Sequence, residues 1–121
     1  ETGKQIIVEQ NFWCDYGYNI SVGENFYMNH NCIILDGAKV EFGDNVFVAP
    51  NCGFYTAGHP LDYGTRNKGL EYAKPIKVGN NVWIGGNVQN VIMKNLKEIN
   101  FKLLEEILQK YLMCKIKNSL L

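Results

Sequence analysis

The chain has 121 residues, with twelve basic and twelve acidic side chains that cancel. That length suits one modest domain, and zero net charge leaves no electrostatic footprint for nucleic acid or an anionic membrane. No apolar run approaches the roughly 18 residues needed to span a bilayer.

The opening residues, Glu1-Thr2-Gly3-Lys4, do not read as a signal peptide, and without an initiator Met the chain is expected to be a processed product or a fragment. From residue 5 to residue 58 short β-type runs alternate with Gly, Asn and Asp: Gln5-Ile6-Ile7-Val8, Cys32-Ile33-Ile34-Leu35 and Val46-Phe47-Val48. The small polar residues are expected to supply the left-handed backbone angles of tight turns.

One phrase recurs: apolar, Gly, any residue, Asn, apolar. It stands as Val22-Gly23-Glu24-Asn25-Phe26, Phe42-Gly43-Asp44-Asn45-Val46 and Val78-Gly79-Asn80-Asn81-Val82. Apolar positions step by six through Val22, Met28 and Ile34, through Phe42, Val48 and Phe54, and from Val78 to Ile84. Neither an amphipathic helix nor an alternating hairpin has that period. A parallel β-solenoid does, with three strand-turn units closing a triangular coil of about 18 residues. The rhythm is expected to stop after Ile84, leaving residues 87–93 as at most a fragment of another coil.

Residues 57–75 interrupt the rhythm with the polar stretch Ala57-Gly58-His59-Pro60-Leu61-Asp62-Tyr63-Gly64-Thr65-Arg66-Asn67-Lys68-Gly69. It reads as a loop thrown out from one corner of a coil, and loops on rigid scaffolds are where function concentrates. Residues 1–93 therefore form the solenoid domain, and residues 94–121 a helical tail. In the tail Leu96, Ile99, Leu103, Ile107, Leu108 and Tyr111 share one helical face. Glu98 with Lys102, and Glu106 with Lys110, are favourable i,i+4 pairs. Such a helix is expected to pack on the body or cover the solenoid's open end. Its mixed charges argue against a membrane role.

Four cysteines are present. Cys32 and Cys52 each lie four residues after an apolar repeat position, Met28 and Val48, so both are expected in equivalent inward slots as free thiols. That predicts a reducing, cytoplasmic setting. Cys14 is likewise expected to face inward, which would make all three poor nucleophiles. No Cys and His spacing forms a metal set.

His59 is the chemically notable residue. An imidazole is the side chain best suited to take a proton near neutral pH, which makes it a candidate general base. Flanked by Gly58 and Pro60, His59 sits where a loop projects a side chain. The alternative is a loop histidine with local hydrogen bonds only. His30 reads as surface or interface packing.

Residues 11–86 resemble the maltose, galactoside and nodulation-type sugar O-acetyltransferases of the hexapeptide-repeat group. The resemblance is carried by Cys14-Asp15-Tyr16-Gly17-Tyr18-Asn19-Ile20, Asn25-Phe26-Tyr27-Met28-Asn29 and Thr56-Ala57-Gly58-His59-Pro60. Gly69-Leu70-Glu71-Tyr72-Ala73-Lys74-Pro75-Ile76 and Val78-Gly79-Asn80-Asn81-Val82-Trp83-Ile84-Gly85-Gly86 extend it. It implies a left-handed parallel β-helix, a homotrimer with active sites between subunits, acetyl-CoA as donor without a metal, and a sugar hydroxyl as acceptor. It implies His59 as general base, Asp15 and Asn29 as acceptor contacts, and a backbone N–H near Gly86, beside Gly85, against the thioester oxygen. Tyr27 and Trp83 either stack on the sugar, line the cleft or serve packing, and Glu71 either orients His59, binds the acceptor or is a solvated charge. The resemblance ends early on both sides, lacking the N-terminal helical segment and the later coils that supply much of the coenzyme A cleft. The alternative reading is a catalytically impaired, truncated solenoid acting as a binding or assembly module.

Overall fold

The computed structural model describes residues 1–91, so the helical reading of 94–121 lies outside the described residues. In chain order the strands are β1 (Ile6–Val8), β2 (Trp13–Cys14), β3 (Ile20–Val22), β4 (Phe26–Met28), β5 (Ile33–Leu35), β6 (Val40–Phe42), β7 (Val46–Val48), β8 (Gly53–Tyr55) and β9 (Ala57–Gly58). A short helix α1 (Tyr63–Arg66) follows, then β10 (Tyr72–Ala73), β11 (Ile76–Val78), β12 (Val82–Ile84) and β13 (Gln89–Val91).

Successive strands rotate through three parallel sheets. The first face is β3-β6-β11, extended by a bridge from Thr2 to Val22; the second is β1-β4-β7-β12; the third is β2-β5-β8-β13. This is a mainly β, three-sided parallel solenoid. β13 completes the third side of the last described coil, pairing Gln89 with Gly53 and Val91 with Tyr55. The rhythm thus runs beyond Ile84, contrary to the sequence expectation. Polar Gln89 and Asn90 hide the strand, while Val88 packs against the core.

The coil is also longer than expected. Ile20 pairs with Val40, Tyr27 with Phe47 and Ile33 with Gly53, a step of 20 residues each time. Two of the three corners keep the six-residue step. The corner from the third face to the first takes eight, from Ile34 to Phe42. The extra chain is organised by Asp36, which is fully buried. Its carboxylate accepts from the backbone N–H groups of Asp15 (3.1 Å), Tyr16 (2.9 Å), Gly17 (2.8 Å) and Asn19 (3.3 Å) in the coil before.

The other corners explain the repeated phrase. Its asparagines, not its glycines, carry the left-handed turn: Asn25, Asn45 and Asn81 have φ of 53°, 54° and 57°. Asn is among the few residues that occupy this region at modest cost. Stacking adds a side-chain ladder, with Asn25 donating to Asn45 (2.9 Å) and Asn45 to Asn81 (3.1 Å). A second ladder runs Asn11–Asn31–Asn51 at the next corner. The glycines are there for room. A Cβ on Gly23 would lie 2.6 Å from the Gly43 backbone, and one on Gly43 would lie 2.9 Å from that of Gly79.

Inside, Phe26, Phe42 and Phe54 form an aromatic column with centroid spacings of 5.2 and 5.1 Å. Cys32 and Cys52 fill equivalent inward slots as free, buried thiols. Cys14 corrects the sequence reading, because it is exposed at the edge strand β2.

Candidate functional site

The excursion from the solenoid is rooted on Thr56, which is fully buried. Its hydroxyl donates to the Leu35 carbonyl (2.7 Å) and accepts from the Ala38 N–H (3.0 Å). Its carbonyl accepts from the N–H of Lys74, where the chain returns. Between these anchors β9 and β10 pair antiparallel, Gly58 with Tyr72 and Ala57 with Ala73. That register sets His59 and Glu71 across from each other at the mouth of a short hairpin.

His59 Nδ1 lies 3.0 Å from the Leu70 carbonyl oxygen. A carbonyl oxygen only accepts, so Nδ1 must carry the proton and Nε2 of the neutral ring presents its lone pair outward. Nε2 stands 4.0 Å from Glu71 Oε2, with both side chains more than half exposed. That distance exceeds a hydrogen bond, so the carboxylate is positioned to attract an imidazolium without occupying the basic nitrogen.

The loop beyond His59 is held by its own contacts. Asp62 caps α1 by accepting from the Thr65 N–H at 2.7 Å, and Thr65, through its side chain first and then this N–H, lowers the Asp62 pKa. Arg66 Nη1 donates to the carbonyls of Pro60 (3.2 Å) and Leu61 (3.0 Å). Neither role was visible in the sequence, because each depends on a carbonyl or an N–H and not on residue type.

The remaining candidate residues fall at two separate corners and on the second face. Asp15 is exposed at the end of β2, two coils below the exit of the His59 loop, at the corner between third and first faces. Its neighbour Cys14 has a raised pKa, first from desolvation of the thiol despite the residue's exposure, then from the charges of Asp36 and Asp15. Cys14 is thus a weak nucleophile for a reason other than inward packing.

Tyr27 and Trp83 lie on the outer side of the second face, in one register column with Ile7 and Phe47. The Tyr27 hydroxyl donates to Glu9 (3.4 Å), and its pKa is raised by desolvation and then by the Glu9 charge. Asn29 and Gly85 are stacked at the corner that follows this face: Asn29 N–H donates to the Val48 carbonyl, and Ala49 N–H to that of Ile84. The Asn29 side-chain oxygen accepts from the His30 N–H (2.8 Å), which is a turn role. Among the described residues its amide Nδ2 has no partner and can donate. A Cβ on Gly85 would meet nothing within 4 Å, and one on Gly86 would lie 3.4 Å from the Pro50 carbonyl.

Glu71 alone of these candidates is brought to His59. From Asn51 to Thr56 the third face spans five residues, roughly 16 Å at the rise of an extended strand. The corner of Asn29, Gly85 and Gly86 is separated from the His59 corner by that face.

No family model matches the chain. It is 48% identical over 86 residues to nodulation protein L of Rhizobium meliloti (strain 1021), covering 71% of this chain and 47% of the relative. A maltose O-acetyltransferase structure from Clostridium difficile 630 shares 63% identity with a TM-score of 0.70, over 72% of this chain and 46% of that one. A galactoside acetyltransferase in complex with coenzyme A shares 44% identity with a TM-score of 0.71, over 73% of this chain and 44% of that one. The chain thus spans less than half the length of each relative.

Proposed function

We propose that this homologue of the hexapeptide-repeat acetyltransferases transfers an acetyl group from acetyl-CoA to a sugar hydroxyl, with His59 as general base. The observation that carries the proposal is the Leu70 carbonyl on His59 Nδ1, which in the neutral ring leaves the lone pair on Nε2. The names of the relatives, maltose and galactoside O-acetyltransferases among them, support the sugar acceptor. Coenzyme A in a related structure supports the donor.

In this mechanism the acceptor O–H proton moves to Nε2 while the oxygen attacks the thioester carbonyl carbon. The tetrahedral intermediate collapses, the C–S bond breaks, and the imidazolium returns the proton to the coenzyme A thiolate. No covalent enzyme intermediate is required. Glu71 stabilises the transient imidazolium from 4.0 Å. The open backbone at Gly85 and Gly86 is suited to close approach of the thioester, with an N–H directed at its oxygen. Asp15 and the Asn29 amide would meet the acceptor's hydroxyls, which both donate and accept, and Tyr27 and Trp83 would line the cleft.

These residues occupy two corners, so the reading includes a left-handed coil assembled as a homotrimer, with each site shared between neighbouring copies. The outer faces favour that arrangement. The first face presents Ser21, Glu41 and Lys77, the last two paired at 3.8 Å. The second presents Ile7, Tyr27, Phe47 and Trp83, with Trp83 66% exposed and Ile7 57%. A cytoplasmic setting belongs to the same reading, supported by the free thiols of Cys14, Cys32 and Cys52.

Calorimetry with acetyl-CoA, followed by thiol release across a panel of sugars, tests the proposal. His59→Ala should lower kcat/KM by about 10²–10⁴-fold, the usual span for a general base. A mutant as active as the parent would remove His59 from the mechanism. Absence of donor binding at millimolar concentration would leave the solenoid as a binding module, and a monomer by light scattering would end the shared-site arrangement.

A further inference from the structure

We infer that Arg66 is a positioning residue that fixes the tautomer of His59 by holding the segment that follows it in the loop. This deepens the reading of His59 as base and rests on it.

The His59–Leu70 hydrogen bond is made just beyond the ends of β9 and β10. It joins two residues eleven apart in the chain, His59 one position past the end of β9 and Leu70 two positions before β10. Arg66 bonds to the chain beside each. Its side chain donates to the carbonyls of Pro60 and Leu61, the two residues after His59. Its own carbonyl accepts from the N–H of Gly69 at 2.9 Å, immediately before Leu70.

Gly69 has φ of +76°, and a Cβ there would meet nothing within 4 Å. Its glycine therefore serves the backbone turn that directs the Leu70 carbonyl towards the ring. Asp62 completes the frame by capping the one turn of helix that carries Arg66. Arg66 is the only arginine in a chain with twelve basic residues. Both bonds come from one guanidinium nitrogen, Nη1, whose two N–H groups are fixed in the guanidinium plane. Glu71 Oε2 lies 4.0 Å from Nε2, beyond hydrogen-bond reach, so among the described residues the Leu70 carbonyl is the acceptor bonded to the ring.

Without the Arg66 side chain, the Pro60–Leu61 segment loses its tie to α1, while the Gly69 N–H keeps the backbone carbonyl at position 66, and the ring returns towards its ordinary mixture of tautomers. A fraction of His59 then presents N–H in place of the lone pair to the acceptor hydroxyl. A hydroxyl accepts from an N–H as readily as it donates to a lone pair, so the change of tautomer acts on proton transfer more than on acceptor binding.

The test uses nitrogen NMR of the His59 imidazole in the full chain, alongside steady-state kinetics. In the parent, Nδ1 should carry the proton in nearly all neutral rings. Arg66→Met should shift the two ring nitrogens towards a mixture and lower kcat about tenfold, with both KM values within about twofold. Arg66→Lys should recover part of each effect. Thermal unfolding of the solenoid should be unchanged, because Arg66 is exposed and outside the coils. An Arg66→Met protein with the parent's tautomer overturns the inference, whatever its activity. If the parent lacks transferase activity, the acetyltransferase reading fails by itself, and the nitrogen shifts still decide the role of Arg66.

Discussion

Replacing Asp36 with Ala should be among the most destabilising single changes in the solenoid. The carboxylate is fully buried and accepts from four backbone N–H groups, at residues 15, 16, 17 and 19. Asp15 and Tyr16 are exposed, so water can replace part of what their N–H groups lose. Gly17 and Asn19 are half-buried, and an orphaned N–H there costs about 1–3 kcal/mol. Together these losses come to about 3–5 kcal/mol, a large share of the roughly 5–15 kcal/mol that holds a domain folded. Asp44 supplies the internal comparison. It is exposed and accepts one N–H, from Glu24 at 2.7 Å, so Asp44→Ala should cost at most about 1 kcal/mol. Urea unfolding with an unchanged m-value measures both. If Asp36→Ala lies within about 1 kcal/mol of the parent, or matches Asp44→Ala, the view that this carboxylate builds the wide corner is wrong.

The repeated glycines offer an opposing pair. Gly43→Ala drives a Cβ to 2.9 Å from the Gly79 backbone and should destabilise by about 1–3 kcal/mol through overpacking. Gly79→Ala meets nothing within 4 Å among the described residues and should be neutral or slightly stabilising, since the unfolded chain loses freedom. Equal melting shifts for the two would contradict the stacking account. At Cys14 the raised pKa means less thiolate at neutral pH than an ordinary cysteine, whose value is about 8.5. Iodoacetamide labelling followed by peptide mass spectrometry should show Cys14 reacting more slowly than a free cysteine at pH 8, with the rate climbing as pH rises further. Asp15→Asn should speed it, because one of the charges that raises the pKa is gone. A faster-than-ordinary reaction at pH 8 would show that the neighbouring carboxylates do not control the thiol.

What the sequence made legible was whatever depends on residue type at a fixed step. The apolar positions Met28, Ile34, Phe42, Val48, Phe54, Val78 and Ile84 are read directly, and all are buried. The slots of Cys32 and Cys52 follow from the same count. Elements that work through the backbone stayed hidden. Asp36 looks like any turn aspartate until its four N–H partners are known. β13 was missed because its partners in β8 provide a ladder that polar side chains need not announce. Cys14 occupies the same phase as Ile34 and Phe54, yet the expectation of burial fails because β2 is an edge strand.

The candidate site divides along the same line. His59 was identifiable by type and by its place in the one long break of the repeat, but its tautomer depends on the Leu70 carbonyl, eleven residues away. Which corner each residue occupies is a matter of phase. Asn29 follows a second-face strand, as Gly85 does one position after Ile84, whereas His59 leaves from the end of the third face. A rigid solenoid cannot fold one corner onto another, because each face is pinned by its parallel ladder through every coil. A reaction that needs both the imidazole and the Asn29–Gly85 corner therefore requires a second copy to bring them together. The exposed second-face column of Ile7, Phe47 and Trp83 is the surface on which that contact would act.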